Sequence, residues 1–140
     1  SDNAGSIVFS KSGKRLMLGT VPIWPVRDTT VPEIDRVSVD VWHYNDDYLQ
    51  PYQLRNLEQE NKRSYLSMFD LNIKSFVQLA DEELSQVMIS NEGDGNLFLG
   101  VSDKGKRVSM QWEGGTKKDV YTLNPSNGER KLILKDLSGA

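Results

Sequence analysis

The chain has 140 residues and a mass of 15.8 kDa, with 17 Lys and Arg against 20 Asp and Glu, a net charge of −3 and a pI near 5.2. This length fits one domain or part of one, and the acidic balance argues against binding to nucleic acid or to an anionic membrane surface. The absence of cysteine excludes a disulfide scaffold, a cysteine nucleophile and a thiolate zinc site, and the single histidine, His43, argues against an autonomous Ser-His-Asp hydrolase.

The first predicted element is a β-hairpin. Two short apolar runs, residues 7–9 and 16–18, flank Ser10 and Gly13. A serine hydroxyl bonds nearby backbone and glycine supplies the positive φ of a tight reversal, so the pattern predicts two antiparallel strands joined by a short turn.

Residues 21–62 are predicted to be an insertion. Three prolines between residues 21 and 36 predict a loop without regular helix. Residues 37–44 alternate valines with polar and aromatic residues, which favours a strand. Residues 49–62 predict a short helix, with Pro51 in its first turn and Glu58 four residues before Lys62.

The hairpin pattern recurs later in the chain. Residues 87–90, Gly93 and 97–100 repeat it at an offset of 80 to 81 residues, and residues 121–124 and 131–134 resemble 69–72 and 76–79 at an offset of 52 from Leu71 to Leu123. Pro125 and Gly128 predict the turn before the last strand. The first unit therefore holds about 28 residues more than the second, between its second strand and its last hairpin.

The repeat predicts an all-β fold. Four short antiparallel strands in each unit are typical of the blade of a β-propeller. We expect about two blades, the first at residues 1–81 with the insertion and one short helix, the second at residues 82–140.

Several stretches resemble the propeller of prolyl oligopeptidase family serine peptidases, particularly the large, dipeptidyl peptidase-like exported bacterial members. The most specific is Asp40-Val41-Trp42-His43-Tyr44 with Leu49-Gln50-Pro51 behind it. The likeness continues through Gly19-Thr20-Val21-Pro22, Asp28-Thr29-Thr30, Asp46-Asp47-Tyr48, residues 62–66 and 76–80, Val101-Ser102-Asp103, Trp112-Glu113-Gly114 and Asp119-Val120-Tyr121.

The resemblance implies a non-catalytic segment of a longer protein. In that family the propeller covers the active site of an α/β-hydrolase domain and filters peptide substrates by size. Nothing here resembles the Gly-x-Ser-x-Gly nucleophile elbow, so no catalytic residue carries over. The expected partners are the rest of the propeller, the hydrolase domain and, indirectly, peptides, in the periplasm or outside the cell. We expect no cofactor, metal, nucleic acid or membrane partner.

The aromatic residues allow a second hypothesis. Trp24, Trp42, Tyr44 and Tyr48, together with Trp112 and Tyr52, either pack between neighbouring blades or line a site for a peptide or a sugar. We favour the packing role. The alternative function is a stand-alone propeller-like module whose insertion binds a protein or glycan partner through Trp24, Trp42, Tyr44 and Tyr48.

Other polar clusters have a structural interpretation. His43 with Asp46 and Asp47 offers metal-binding atoms but lacks a second histidine. Residues 91–96 resemble a calcium loop only superficially and predict a hairpin turn. We expect residues 81–83 to form a charged loop between blades, and the basic residues at 104–107 and 117–118 to lie in solvated turns.

Two blades taken from a closed ring leave apolar faces without neighbours. We therefore expect the isolated chain to self-associate, with Ile7, Phe9, Val87 and Ile89 on the strands nearest the new contacts.

Overall fold

A computed structural model of the chain describes residues 7–23, 26, 29–30, 32–36, 39 and 41–138. The fold is all-β, as predicted, with two four-stranded antiparallel sheets that resemble propeller blades. Within the described residues, no helix is both long enough and apolar enough to cross a membrane.

Each sheet is built from strands in chain order. The first sheet comprises β1 (Val8–Phe9), β2 (Arg15–Thr20), β3 (Tyr65–Asp70) and β4 (Ser75–Gln78). The second comprises β5 (Gln86–Met88), β6 (Phe98–Ser102), β7 (Lys117–Leu123) and β8 (Arg130–Ser138). Helix α1 (Gln50–Asn61) lies between β2 and β3, a four-residue helix α2 (Met110–Glu113) precedes β7, and 3-10 turns occur at Glu33–Asp35 and Asn91–Gly93.

The predicted hairpin turns are confirmed. The Ser10 hydroxyl accepts a hydrogen bond from the backbone N–H of Arg15 at 3.2 Å, while Gly13, at φ 70°, donates its N–H to the Ser10 carbonyl at 2.9 Å. Residues 91–96 form the equivalent turn between β5 and β6, and Gly128, at φ 73°, closes the turn between β7 and β8. Both sheets therefore begin and end with hairpins, as the repeat indicates.

The insertion contains the predicted helix but not the predicted strand. Helix α1 has a proline in its first turn and no buried residue, so it lies on the surface. The strand expected at residues 37–44 is wrong for the residues described there, 39 and 41–44, which have no regular structure. Val39, Val41 and Trp42 are exposed, because no strand of either sheet pairs with this segment and buries one side of it.

The hydrophobic core lies between the two sheets. Met17, Met68 and Val77 are directly opposite one another on β2, β3 and β4, and their side chains pack against Phe98 and Leu123 of the second sheet. Leu79 and Leu84, in the link between the sheets, complete the cluster. The two sheets thus share one core instead of each having its own.

The sheets are stacked with their strands in the same order. At the edge formed by β1 and β5, the β1–β2 turn meets the β5–β6 turn, where Lys11 donates its N–H to the Glu92 carbonyl at 3.1 Å. At the opposite edge, formed by β4 and β8, Arg130 at the start of β8 donates to the carbonyl of Leu79, just after β4, at 3.1 Å. This arrangement resembles that of neighbouring blades, and the division of the chain at residue 81 stays a prediction.

A candidate binding cleft beside the helix

A cleft of about 400 Å³ lies between helix α1, the start of β3 and the loop after β6. It brings together residues of the insertion, the first sheet and the second unit, which are far apart in sequence. Its lining combines tyrosine rings, side-chain amides and charged groups: Pro22, Asp47, Tyr48, Tyr52, Gln53, Asn56, Leu57, Glu60, Asn61, Arg63, Tyr65, Glu82, Ser85, Lys104 and Arg107.

Arg107 organises one end of the cleft. Its guanidinium donates from Nε to Asp103 Oδ1 at 2.7 Å and pairs with Asp47, and its carbon lies 4.4 Å from the centre of the Tyr48 ring. The Arg107 backbone N–H also donates to Asp47 Oδ1 at 3.3 Å. A planar guanidinium suits this combination of carboxylate pairing and ring stacking better than an ammonium does. Arg107 therefore fixes the insertion to the second unit.

Asp47 is the least satisfied member of this cluster. Its Oδ2 is buried and lies 3.2 Å from Arg107 Nη1, but the geometry of that contact is not that of a hydrogen bond. The ion pair thus compensates the charge, whereas Oδ2 accepts no hydrogen bond from the described residues. A buried acceptor in this state carries a desolvation cost that depends on Arg107 staying in place.

The tyrosines form an aromatic wall. The Tyr48 and Tyr52 rings stack with their centres 4.7 Å apart, and Gln53 donates to the Tyr48 carbonyl at 2.7 Å, which holds the start of the helix against the preceding loop. Burial raises the pKa of the Tyr48 hydroxyl, against the opposing effect of Arg107. The hydroxyl is therefore neutral at physiological pH and both donates and accepts hydrogen bonds.

The other end of the cleft is more acidic. Burial, and after it the charge of Glu82, raises the pKa of the Tyr65 hydroxyl. Glu60 is paired with Arg63, at 2.7 Å from Arg63 Nε, whereas Glu82 makes no ion pair among the residues that the structure describes. A second depression of about 310 Å³ shares Pro22, Tyr65 and Glu82 with the cleft and extends it toward Gln78.

Of the predicted partner-binding residues that the structure describes, only Tyr48 lines the cleft. Trp42 is 70% exposed, and Tyr44 is 90% exposed and stacks on His43 with ring centres 4.8 Å apart. Trp24 lies outside the described residues. Trp42, Tyr44 and Trp112 are largely exposed and do not pack between the two described sheets, so the role that we favoured for them, packing against neighbouring blades, stays a prediction.

The histidine cluster is a local feature of the loop. The backbone N–H of Asn45 donates to His43 Nδ1 at 3.2 Å, and Asp47 turns away to Arg107. Among the described residues, no group of three His, Asp or Glu side chains lies close enough together to hold a metal ion.

The prediction that the basic cluster at 104–107 is solvated is wrong for two of its residues. Lys106 pairs with Asp119 and, at 2.8 Å, with Asp136, and Arg107 is half-buried in the cleft. The Lys106 ammonium holds the pKa of Asp119 below its usual range. Lys104 fits the prediction, because it is exposed and pairs with Glu83 only at 3.4 Å.

Sequence reasoning also missed Tyr65, Glu82 and Arg107 as members of a site. The spacing of Asp103 and Arg107, four residues apart, was the one local signal, and it is typical of many solvated turns. The contact of Arg107 with Asp47 spans 60 residues and depends on how the insertion folds back, which no local pattern encodes.

Comparisons of the chain with protein-family models, with curated proteins and with solved structures give no match.

Proposed function

We propose that this chain is a non-catalytic β-propeller segment of a larger serine peptidase, where it covers the active site and gates the entry of peptides. The observation that carries the proposal is the stacking of two four-stranded sheets in the same strand order, with equivalent turns side by side. Repetition of that arrangement generates a propeller. The sequence likeness around Trp42 supports the peptidase assignment.

In this proposal the cleft binds peptides on their way to the active site of the peptidase. Its tyrosine hydroxyls and the amides of Gln53 and Asn56 suit the main-chain groups of an extended peptide, and the rings suit apolar side chains. Binding of this kind selects among peptides without breaking a bond.

The test begins with the gene. A sequence encoding a Gly-x-Ser-x-Gly motif downstream of residue 140 supports the proposal, and the purified chain is expected to hydrolyse no fluorogenic dipeptide amide.

In the longer protein, Tyr48→Ala is expected to change KM for long peptides while leaving KM for a dipeptide substrate unchanged, with Tyr44→Ala as a control at an exposed position outside the cleft. Hydrolysis by the chain itself that is lost on mutating one of its serines contradicts the proposal.

A second candidate function is a stand-alone module that binds a protein or a glycan. The exposed Trp42, Tyr44 and Trp112 favour it, because large exposed aromatic side chains are common at recognition surfaces. A stop codon shortly after residue 140 and loss of ligand binding in Trp42→Ala would support this function over the peptidase segment.

A further inference from the structure

Two neighbouring cations in the loop after β6 hold different parts of the molecule. The Lys106 ammonium contacts Asp119 in β7 and, at 2.8 Å, Asp136 in β8. The Arg107 guanidinium instead pairs with Asp47 of the insertion at 3.2 Å. Residues 106 and 107 therefore connect the second sheet with one end of the cleft.

Strand β8 has a bulge where it meets Lys106. The pairing of the two strands advances by two residues in β7, from 118 to 120, and by three in β8, from 137 to 134. Asp136 lies in this stretch at φ 56°, and its N–H donates to Asp119 Oδ1 at 2.9 Å. A bulge bends a strand and changes the direction of a side chain. The irregularity thus allows carboxylates of β7 and β8 to share the Lys106 ammonium.

The backbone that joins the two cations is fixed by hydrogen bonds. The Lys106 N–H donates to the Asp103 carbonyl at 3.0 Å, across a turn in which Gly105 has φ 76°. The Ser109 hydroxyl donates to the Lys106 carbonyl at 2.8 Å, and Arg107 Nε donates to Asp103 Oδ1 at 2.7 Å. Because adjacent Cα atoms are only about 3.8 Å apart, a displacement of Lys106 in so constrained a loop also moves Arg107.

Arg107 in turn supports the tyrosine wall of the cleft. Its guanidinium carbon lies 4.4 Å from the centre of the Tyr48 ring, and Tyr48 stacks on Tyr52 in the first turn of α1. Gln53 of the same helix donates to the Tyr48 carbonyl at 2.7 Å. A change in the position of Arg107 therefore reaches helix α1 through Tyr48.

The charges favour a positioning role for Lys106 over a purely stabilising one. The side chains of Lys106 and Asp119 are 16% and 17% exposed, and that of Asp136 is 51% exposed. Partly solvated ion pairs contribute little to stability, whereas they do specify which groups lie together. Lys106 reaches the strands from a loop outside the sheet, so what it fixes to the sheet is the loop that carries Arg107.

We propose that Lys106 is a positioning residue of the cleft. Held by the two carboxylates of the second sheet, it places Arg107 against Asp47 and so fixes the tyrosine wall. The effect on peptide selection rests on the proposed function, whereas the positioning of Arg107 does not depend on it.

Hydrogen exchange of the purified chain, followed by mass spectrometry, tests the proposal. Lys106→Met is expected to lower the protection of α1 about fivefold and to leave β2 and β3 unchanged, because the loss reaches the helix through Arg107. Lys106→Arg retains the cation and should retain most of the protection. Lys117→Met is the matched control, since Lys117 pairs with Glu113 at 2.8 Å, and it should leave α1 unchanged. Unchanged exchange in α1 of Lys106→Met, or an equal rise in every strand, overturns the proposal.

A double variant shows whether Lys106 acts through Arg107. Arg107→Met alone is expected to lower the protection of α1, and adding Lys106→Met should lower it no further. Additive losses indicate another route and overturn the proposal. Asp136→Asn, which keeps Asp119 in place, should give a smaller loss in α1, and it decides the question if circular dichroism shows that Lys106→Met does not fold.

Kinetics of the longer protein separate this inference from the proposed function. There Lys106→Met is expected to change KM for long peptides, as Tyr48→Ala does, and to leave KM for a dipeptide substrate unchanged. Faster exchange in α1 with an unchanged KM for long peptides supports the positioning role and contradicts peptide binding by the cleft. Unchanged exchange in α1 contradicts the positioning role alone, while the gene and peptidase tests above decide the proposed function.

Discussion

Asp94 is bound to Ser12 by two hydrogen bonds of 2.7 Å, one from the backbone N–H and one from the hydroxyl, and this contact joins two turns 82 residues apart in sequence. Arg15 strengthens the same junction by donating to the carbonyls of Gly93 and Gly95 at 3.1 and 2.7 Å. The equivalent hairpin turns of the two sheets thus hold each other at one end of the shared core.

This junction predicts a pH-dependent stability. The hydrogen bonds from Ser12 lower the pKa of Asp94, so its contribution to stability is present above the ordinary aspartate pKa and is lost as the pH falls through the lowered value. We expect urea midpoints measured at pH 6 and pH 3 to differ less for Asp94→Asn than for the unmodified chain. Ser12→Ala should reduce the difference in the same way, and high salt should too, because the carboxylate is exposed. Identical pH dependence in all three proteins would be the contrary result.

We expect removal of the Arg107 guanidinium to lower the free energy of unfolding. Arg107→Met leaves Asp47 and Asp103 without their cation, and we expect the free energy of unfolding to fall by about 2 kcal/mol, below the range for fully buried pairs because the site is partly solvated. Arg107→Lys should recover only part of this loss, because an ammonium lacks the planar set of N–H donors with which a guanidinium contacts two carboxylates and an aromatic ring. Lys104→Met is the matched control, with an expected change under about 0.5 kcal/mol. Urea denaturation at neutral pH measures all three, and equal effects at the two positions would argue against an organising role for Arg107.

We expect any side chain at position 100 to clash with the core. A Cβ at this position meets methyl carbons of Leu123 and Leu84 at 2.6 Å, so Gly100→Ala forces those side chains to move. We expect a loss of about 1–3 kcal/mol in thermal or urea unfolding. Adding Leu84→Val frees space, so the double variant should be more stable than the sum of the single effects predicts. Strict additivity would show that the glycine is needed for another reason.

Local sequence patterns predicted most of the sheets and little of the cleft. Ser10 with Gly13, and Pro125 with Gly128, determine chain reversals within a few residues, so the hairpins could be predicted from the sequence. The strand predicted at 37–44 is wrong for the described residues, 39 and 41–44, because alternation specifies a strand only where a neighbouring strand pairs with it. The cleft depends on Asp47 reaching Arg107, a contact set by the path of a long insertion. Among its residues, the sequence singled out Tyr48 and Tyr52 as aromatic candidates and Asp47 as a possible metal ligand, but gave no reason to bring them together.

The length of the insertion gives the two sheets different costs of loop closure during folding. Pairing of β2 with β3 must close the 44 residues from 21 to 64, whereas pairing of β6 with β7 closes only the 14 from 103 to 116. The difference in chain entropy is about 1 kcal/mol. We therefore expect the second sheet to form first and the first sheet to pack against Phe98 and Leu123 once the longer loop has closed.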